Sequence, residues 1–303
     1  MRETIGTKVR IASALLALTM TAFAQQYPPA GQYPPPQGSY PPPQGQYPPA
    51  QGQYAPPPQY LAPAQLDNLV ERIALDPDPL LAQIMTASTF WDQISPAAAW
   101  ANQHAFLHGP QLAQAIQEDQ LPWDPSVLAL LPMPQVLNMM AGDPAWTQSL
   151  GNAVLTQNPA VMDAVQRMRQ QALSYGYLRS GPYVRVVEEP GNIQILPVNP
   201  GLMYVPVYNP AVVFVRPRPG FAIGAAISFG PGITLGAAFA PFGWANPFFG
   251  WREHTIVINN HPWARTWQNR AVYVHPYEGW HRPPAGRVVE RHEVRHDERR
   301  DRR

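Results

Sequence analysis

Hydrophobic positions along this chain change their period near residue 180. Between residues 63 and 177 they recur at helical spacing. Leu66, Leu69, Val70 and Ile73 fall on one face of a first helix. Asp78-Pro79 puts a capping residue before a proline at the first helical position and opens the run LLAQIMTAST. Further short helices are predicted over 97–104 and 111–117. Asp124-Pro125 and Asp143-Pro144 repeat the Asp-Pro start, and Asn158-Pro159 opens AVMDAVQRMRQQAL in the same way. In that last run Val161, Ala164, Val165, Met168 and Leu173 line one face, and Arg167 and Arg169 are expected to project outward. The pattern predicts six or seven helices, each too short to stand alone, packed on one another.

Beyond Ser180 the runs become β-branched and aromatic. Strands are predicted over 184–187, 193–196 and 203–208, with Glu189-Pro190-Gly191-Asn192 as the turn between the first two. Residues 220–250 carry no charge and are punctuated by glycine. Within them 221–229 and 233–239 resemble each other across Pro231-Gly232. An uncharged run of this length also suits a membrane helix. Gly and Pro break it into halves of strand length, so a hairpin that packs on itself or adds to a sheet edge is the preferred reading. Strands are also predicted over 255–259 and 271–275.

The two ends read differently. Arg2, Lys8 and Arg10 precede the apolar stretch IASALLALTM, and Ala22-Phe23-Ala24 supplies a small-x-small cleavage pattern. This is the layout of a secretory signal peptide, too short for a membrane anchor. The expected mature chain begins at Gln25, is exported to the periplasm or secreted, and has no transmembrane helix. A tyrosine–proline–glutamine repeat follows, with Tyr33, Tyr40, Tyr47 and Tyr54 spaced by seven residues. It has no charge and almost no aliphatic side chain, so it cannot bury a core. Two readings stand: a semi-rigid polyproline spacer, or an adhesive arm of rings and proline faces. The far end is polar and rich in arginine.

The fold class this predicts is α+β: an N-terminal bundle of short helices followed by a small antiparallel β region, flanked by disordered Pro-rich and Arg-rich segments. The organisation is a signal peptide over 1–24, a Tyr/Pro/Gln-rich repeat over 25–62, a helical domain over 63–180, a Gly- and aromatic-rich β region over 181–280 and a charged tail over 281–303.

Composition then excludes several activities. The chain of 303 residues has 39 prolines and no cysteine. It therefore has no disulfides, no cysteine for lipid attachment, no thiol catalysis and no cysteine zinc site. Its formal net charge is +1, and most of the basic excess lies in the signal and the tail. The body lacks the broad basic surface that nucleic-acid binding requires.

Four stretches carry a resemblance to a known family. They read IALDPDPLLAQIMTAST (73–89), LPWDPSVLALLPMPQVLNMM (121–140), DPAWTQSLGNAVLTQNPAVMDAVQRMRQQA (143–172) and NPGLMYVPVYNP (199–210). Together they resemble the bacterial domain of unknown function 3300 family. The resemblance covers about 66–214. It implies an exported protein with Pro/Gln-rich or Gly-rich flanks, and it brings no reaction, substrate or catalytic residue. The chain departs from the family's Tyr-Pro-Asp-Pro at Asp76, which leaves the Asp78-Pro79 start intact.

Candidate chemistry is sparse. His292-Glu293-Val294-Arg295-His296 matches the H-E-x-x-H zinc signature. It lies in an Arg-rich tail with no apolar helix face and no chain left for a third ligand. His292 and His296 are retained only as metal-ligand candidates. His104 and His108 form an i, i+4 pair near a helix end. His254, His261, His275 and His281 are scattered among Trp and Asn, where edge and turn positions explain them better than a metal site. Asp78, Asp124, Asp143 and Asp163 fall mostly at helix starts, where capping is sufficient reason for them. A glycosidase would need two of them to converge in a cleft. No catalytic residue and no cofactor is assigned.

Trp251, Trp263 and Trp267 belong to an aromatic-rich last third. This is either a small core built from rings or an exposed platform for sugars or a partner. With Tyr33, Tyr40, Tyr47 and Tyr54 they form the candidate binding surface. The function expected is a non-enzymatic envelope or secreted interaction protein that meets a cell-wall, outer-membrane or protein partner. The alternatives are an envelope glycan or peptide hydrolase using carboxylates of the helical region, and membrane association through 220–250.

Overall fold

Proline sets where most of the helices begin. A computed structural model describes residues 58–217 and 226–275. In it α1 (Pro63–Val70), α2 (Asp78–Ser88), α4 (Gly109–Glu118), α5 (Pro125–Leu128), α6 (Pro134–Gly142) and α7 (Pro144–Ser174) each carry proline in the first turn. There its missing N–H costs nothing, and its fixed φ suits the helix. Asp124 accepts the Ser126 amide at 3.0 Å and Asp143 the Trp146 amide at 3.1 Å, so these two Asp-Pro starts cap their helices.

Two expectations about the helices need correction. α3 (Trp91–Gln103) begins at Trp91, ahead of the predicted 97, and runs through Pro96. Pro96 and Asp92 are both exposed, so the carbonyl that proline leaves unpaired can be solvated. Asp78 does not cap α2, because its side chain turns into the core instead. The break expected at Asn158-Pro159 is present. α7 kinks at Gln157 (φ −145°, ψ 41°), giving two helical segments in one element.

α2 is the centre of the fold. Every residue from Leu80 to Ser88 is buried, as in a helix enclosed on all sides. α7 crosses it at backbone contact: a Cβ on Gly151 would lie 2.0 Å from the Ser88 carbonyl oxygen. Gln83, on α2, donates to the Gly243 carbonyl at 2.7 Å, which ties the later chain to this helix.

The β part consists of small antiparallel pairs. β1 (Val184–Glu189) and β2 (Asn192–Pro197) form a hairpin with Glu189 opposite Asn192. Its two-residue loop, Pro190-Gly191, uses the left-handed φ of +91° at Gly191. The predicted single run 203–208 is two strands, β3 (Leu202–Met203) and β4 (Pro206–Tyr208), in different pairs. Helix α8 (Pro210–Val213) follows, with Asn209 accepting the Ala211 amide at 3.0 Å. β5 (Ile227–Phe229) pairs with β4, and β6 (Ile233–Thr234) pairs with β3. Among the described residues, the two similar halves of 220–250 therefore do not pair with each other, and each adds to an earlier strand. A 3-10 helix over Ala237–Phe242 replaces the end of the second half. β7 (Phe248–Gly250), β8 (Thr255–Ile258) and β9 (His261–Pro262) make the remaining sheet.

Residues 271–275 are not a strand. The alternation is real, since Val272 and Val274 face solvent while Tyr273 and His275 turn inward. Among the described residues no strand pairs with their backbone, and side-chain contacts help to hold them.

One hydrophobic core takes residues from both parts, among them Leu80, Met85 and Leu150 from helices and Ile195, Phe249 and Ile256 from strands. The fold is α+β, as the pattern predicts. No helix among the described residues is long and apolar enough to cross a membrane.

Candidate functional site

The segment between α1 and α2 carries two aspartates with different surroundings. Asp78 meets Arg169, which is fully buried on α7, at 2.6 Å. Its carboxylate also accepts the Ile195 amide at 3.1 Å and the Trp251 indole N–H at 2.9 Å. Arg169 donates in addition to the carbonyls of Ala74 (2.8 Å), Asp76 (3.0 Å) and Ile193 (2.8 Å), and its guanidinium lies 5.0 Å from the Trp251 ring centroid. This knot joins α2, α7, β2 and Trp251. Buried charges persist only when paired and hydrogen-bonded, and here both are.

Arg169 was expected on the outer face of its helix. Its spacing from Val165 (i+4) and Ala172 (i−3) instead puts it on the buried stripe, and that spacing was the signal that could have placed it.

Asp76 is as buried as Asp78, at 4% exposed, but it faces a cavity of about 530 Å³. Glu71, Arg72, Val136, Met139, Val205, Val207 and Tyr208 help line this cavity. Three of the four motif stretches supply its walls: the segment after α1, α6, and the YVPVYNP segment around β4. Burial pushes the Asp76 carboxyl well above the usual range, against the pull of Arg169. The Tyr208 hydroxyl accepts the Leu75 amide at 3.3 Å. Burial first, then the neighbouring Asp76 charge, raises its pKa well above the ordinary phenol value. At the rim Arg72 pairs with Asp143 at 2.9 Å and lies over Trp146. An apolar cavity with a few converging polar groups and a perturbed carboxyl is the usual form of a binding site. Sequence reading passed over Asp76 and Tyr208; the one visible signal was that Asp76 departs from the family pattern.

The other candidates are dispersed. Trp251 and Trp263 are buried, Trp251 stacking on Phe249 at 4.3 Å, and Trp267 is half-buried beneath Arg270. None of the three offers a fully exposed ring. Tyr33, Tyr40, Tyr47, Tyr54, His281, His292 and His296 lie outside the described residues. His104 stacks on Trp100 at 4.0 Å, whereas His108 stands exposed at the start of α4. His254 pairs with Asp163 at 2.9 Å and His275 with Asp124 at 2.7 Å. Beside His275, Arg265 packs over Phe90 at 3.6 Å and donates to the Thr89 carbonyl, and burial lowers its pKa to about 10. Among the described residues no group of three or more His, Asp or Glu side chains is arranged to hold a metal ion.

Fold and motifs together define the class. The chain matches the family described as Protein of unknown function (DUF3300) over residues 62–282 and belongs to that family. It is similar to "Uncharacterized protein YacH" of Escherichia coli (strain K12), with 34% identity over 183 residues, covering 50% of this chain and 29% of that protein. The chain thus spans under a third of that relative's length. No solved structure matches it.

Proposed function

We propose that this chain is an exported envelope or secreted interaction protein that works by binding, with the cavity beside Asp76 as its contact site. The observation that carries this reading is where the carboxylates go. Asp78, Asp124, Asp143 and Asp163 are each held by an Arg, a His or a helix amide, while a mostly apolar cavity is left open where three motif stretches meet. The N-terminal signal pattern supports export. The partner is a cell-wall, outer-membrane or protein component.

The test is fractionation of the native host, with and without a high-salt wash, followed by mass spectrometry of what co-purifies. Recovery with the envelope and release by salt are expected. An Ala211→Trp variant, which fills the cavity, should lose the association. Recovery as a free monomer with no partner would overturn the reading.

One observation favours a second reading, hydrolysis of envelope glycans or peptides. Glu71 shares the cavity with Asp76, and two carboxyls in unlike environments are the arrangement of an acid and its base. It predicts turnover of wall glycan or peptide that Asp76→Asn abolishes. Absence of turnover across such a screen removes it.

A further inference from the structure

The cavity holds more carboxylate than available cation. Both arginines near it are committed: Arg72 to Asp143 and the Trp146 ring, Arg169 to Asp78 and three carbonyls. Asp143 and Asp78 are satisfied by the same pairs. Among the described residues, the carboxyls of Asp76 and Glu71 have no hydrogen-bond donor, and both residues line the cavity. The last turn of α1 ends at Glu71, so the negative end of that helix adds to the same field. Tyr208 contributes an aromatic ring, which also attracts cations. Val136, Met139, Val205 and Val207 form an apolar stretch of the wall, with Gln135 and Asn209 as neutral polar neighbours, and about 530 Å³ suits a small ligand.

We propose that this cavity binds a small organic cation, an ammonium group on an apolar stem, with Asp76 and Glu71 as its counter-charges. The inference rests on the cavity being the contact site proposed above. A bare carboxyl in an apolar wall is costly to ionise, and burial raises the Asp76 carboxyl well above its usual range. An incoming ammonium supplies the missing partner and donors, and the stem covers the valines and Met139. A neutral ligand of the same shape gains only the second of these. An anion meets two carboxyls, and the one arginine lining the cavity among the described residues, Arg72, is already paired with Asp143.

The test uses the full mature chain and three probes of one stem: hexylammonium, 1-hexanol and hexanoate, titrated by calorimetry and ligand-observed NMR. Hexylammonium should bind at least about tenfold tighter than 1-hexanol, the worth of one charge-assisted hydrogen bond, and hexanoate should bind weakest. Asp76→Asn, nearly isosteric, should abolish the preference for ammonium while leaving hexanol binding in place. Should that variant fail to fold, Glu71→Gln at the half-buried position should reduce the preference in the same direction. Equal binding of ammonium and alcohol, stronger binding of hexanoate, a preference that survives both variants, or no binding of any probe would each overturn the inference. If the chain still fractionates with the envelope in those cases, only the ligand class is lost; recovery as a free monomer removes the contact-site reading itself.

Discussion

Asp76 and Asp78 stand two residues apart and are both almost completely buried, yet they do different work. Asp78 is surrounded by donors: a guanidinium, a backbone amide and an indole N–H. Asp76 gives its backbone carbonyl to the same Arg169 but turns its carboxyl to a cavity. The difference separates structure from function. A buried charge whose partners are all present holds the fold together. A buried carboxyl left without donors is a cost that the fold carries, and such costs collect at sites that meet something else.

The largest expected effect comes from breaking the closed side. Arg169→Met should destabilise the chain by about 3–5 kcal/mol in denaturant unfolding, because Asp78 is left buried without its cation. Adding Asp78→Leu to that variant should recover part of the loss. A single variant as stable as the parent would mean that the knot holds nothing. Next comes Trp251→Phe, which keeps the ring but removes the N–H given to Asp78. A loss of about 1.5–3 kcal/mol is expected in the same assay, and an unchanged midpoint would place Trp251 outside the knot.

The knot also depends on α7 lying close to α2. Gly151→Ala puts a methyl group into the Ser88 carbonyl, against backbone that cannot swing away. It should cost about 1–3 kcal/mol, read as a lowered melting temperature. An unaffected variant would show that the two helices can separate without loss.

On the open side the effect is one of pH. Asp76 is held above the usual carboxylate range, by burial and against Arg169, with Glu71 and Tyr208 as the other ionisable groups nearby. In that range the folded chain keeps a proton that the unfolded chain releases. Its contribution to stability is therefore full below the ordinary aspartate pKa and is lost as pH rises through the raised value. Asp76→Asn should flatten that slope in unfolding curves taken across pH. A slope equal to the parent's would assign the proton to another group.

The smallest effect belongs to Asp143, partly exposed, whose carboxyl is held below the usual range by the Trp146 amide and then by Arg72. Its contribution is present above the ordinary aspartate pKa and is lost as pH falls through the lowered value. Arg72→Ala should weaken this acid-side loss slightly, and a larger change than Arg169→Met produces would reverse the ranking of the two pairs.

Much of the fold was legible because it is written in local terms. Asp124-Pro125, Asp143-Pro144 and Asn209-Pro210 mark helix starts by removing a donor and supplying an acceptor, and Pro190-Gly191 closes a hairpin through one positive φ. Period also placed most of the core. It failed at Arg169 because a charged residue on an apolar stripe reads as an exception, when it was a partner waiting for Asp78. It misjudged 271–275 because alternation says which side chains turn inward but not whether a strand lies alongside. The tryptophans show the same limit. Their number marks the last third as aromatic, but whether Trp251 faces solvent or Asp78 is decided by a chain segment 173 residues away.

The chain by itself determined most of its helix starts, its change of period and its family, because each depends on neighbours in sequence. Only the tertiary structure decided which aspartate became a strut and which became the floor of a cavity. Burial and hydrogen-bond supply come from segments far apart in the chain, and those two quantities set what a carboxylate can do.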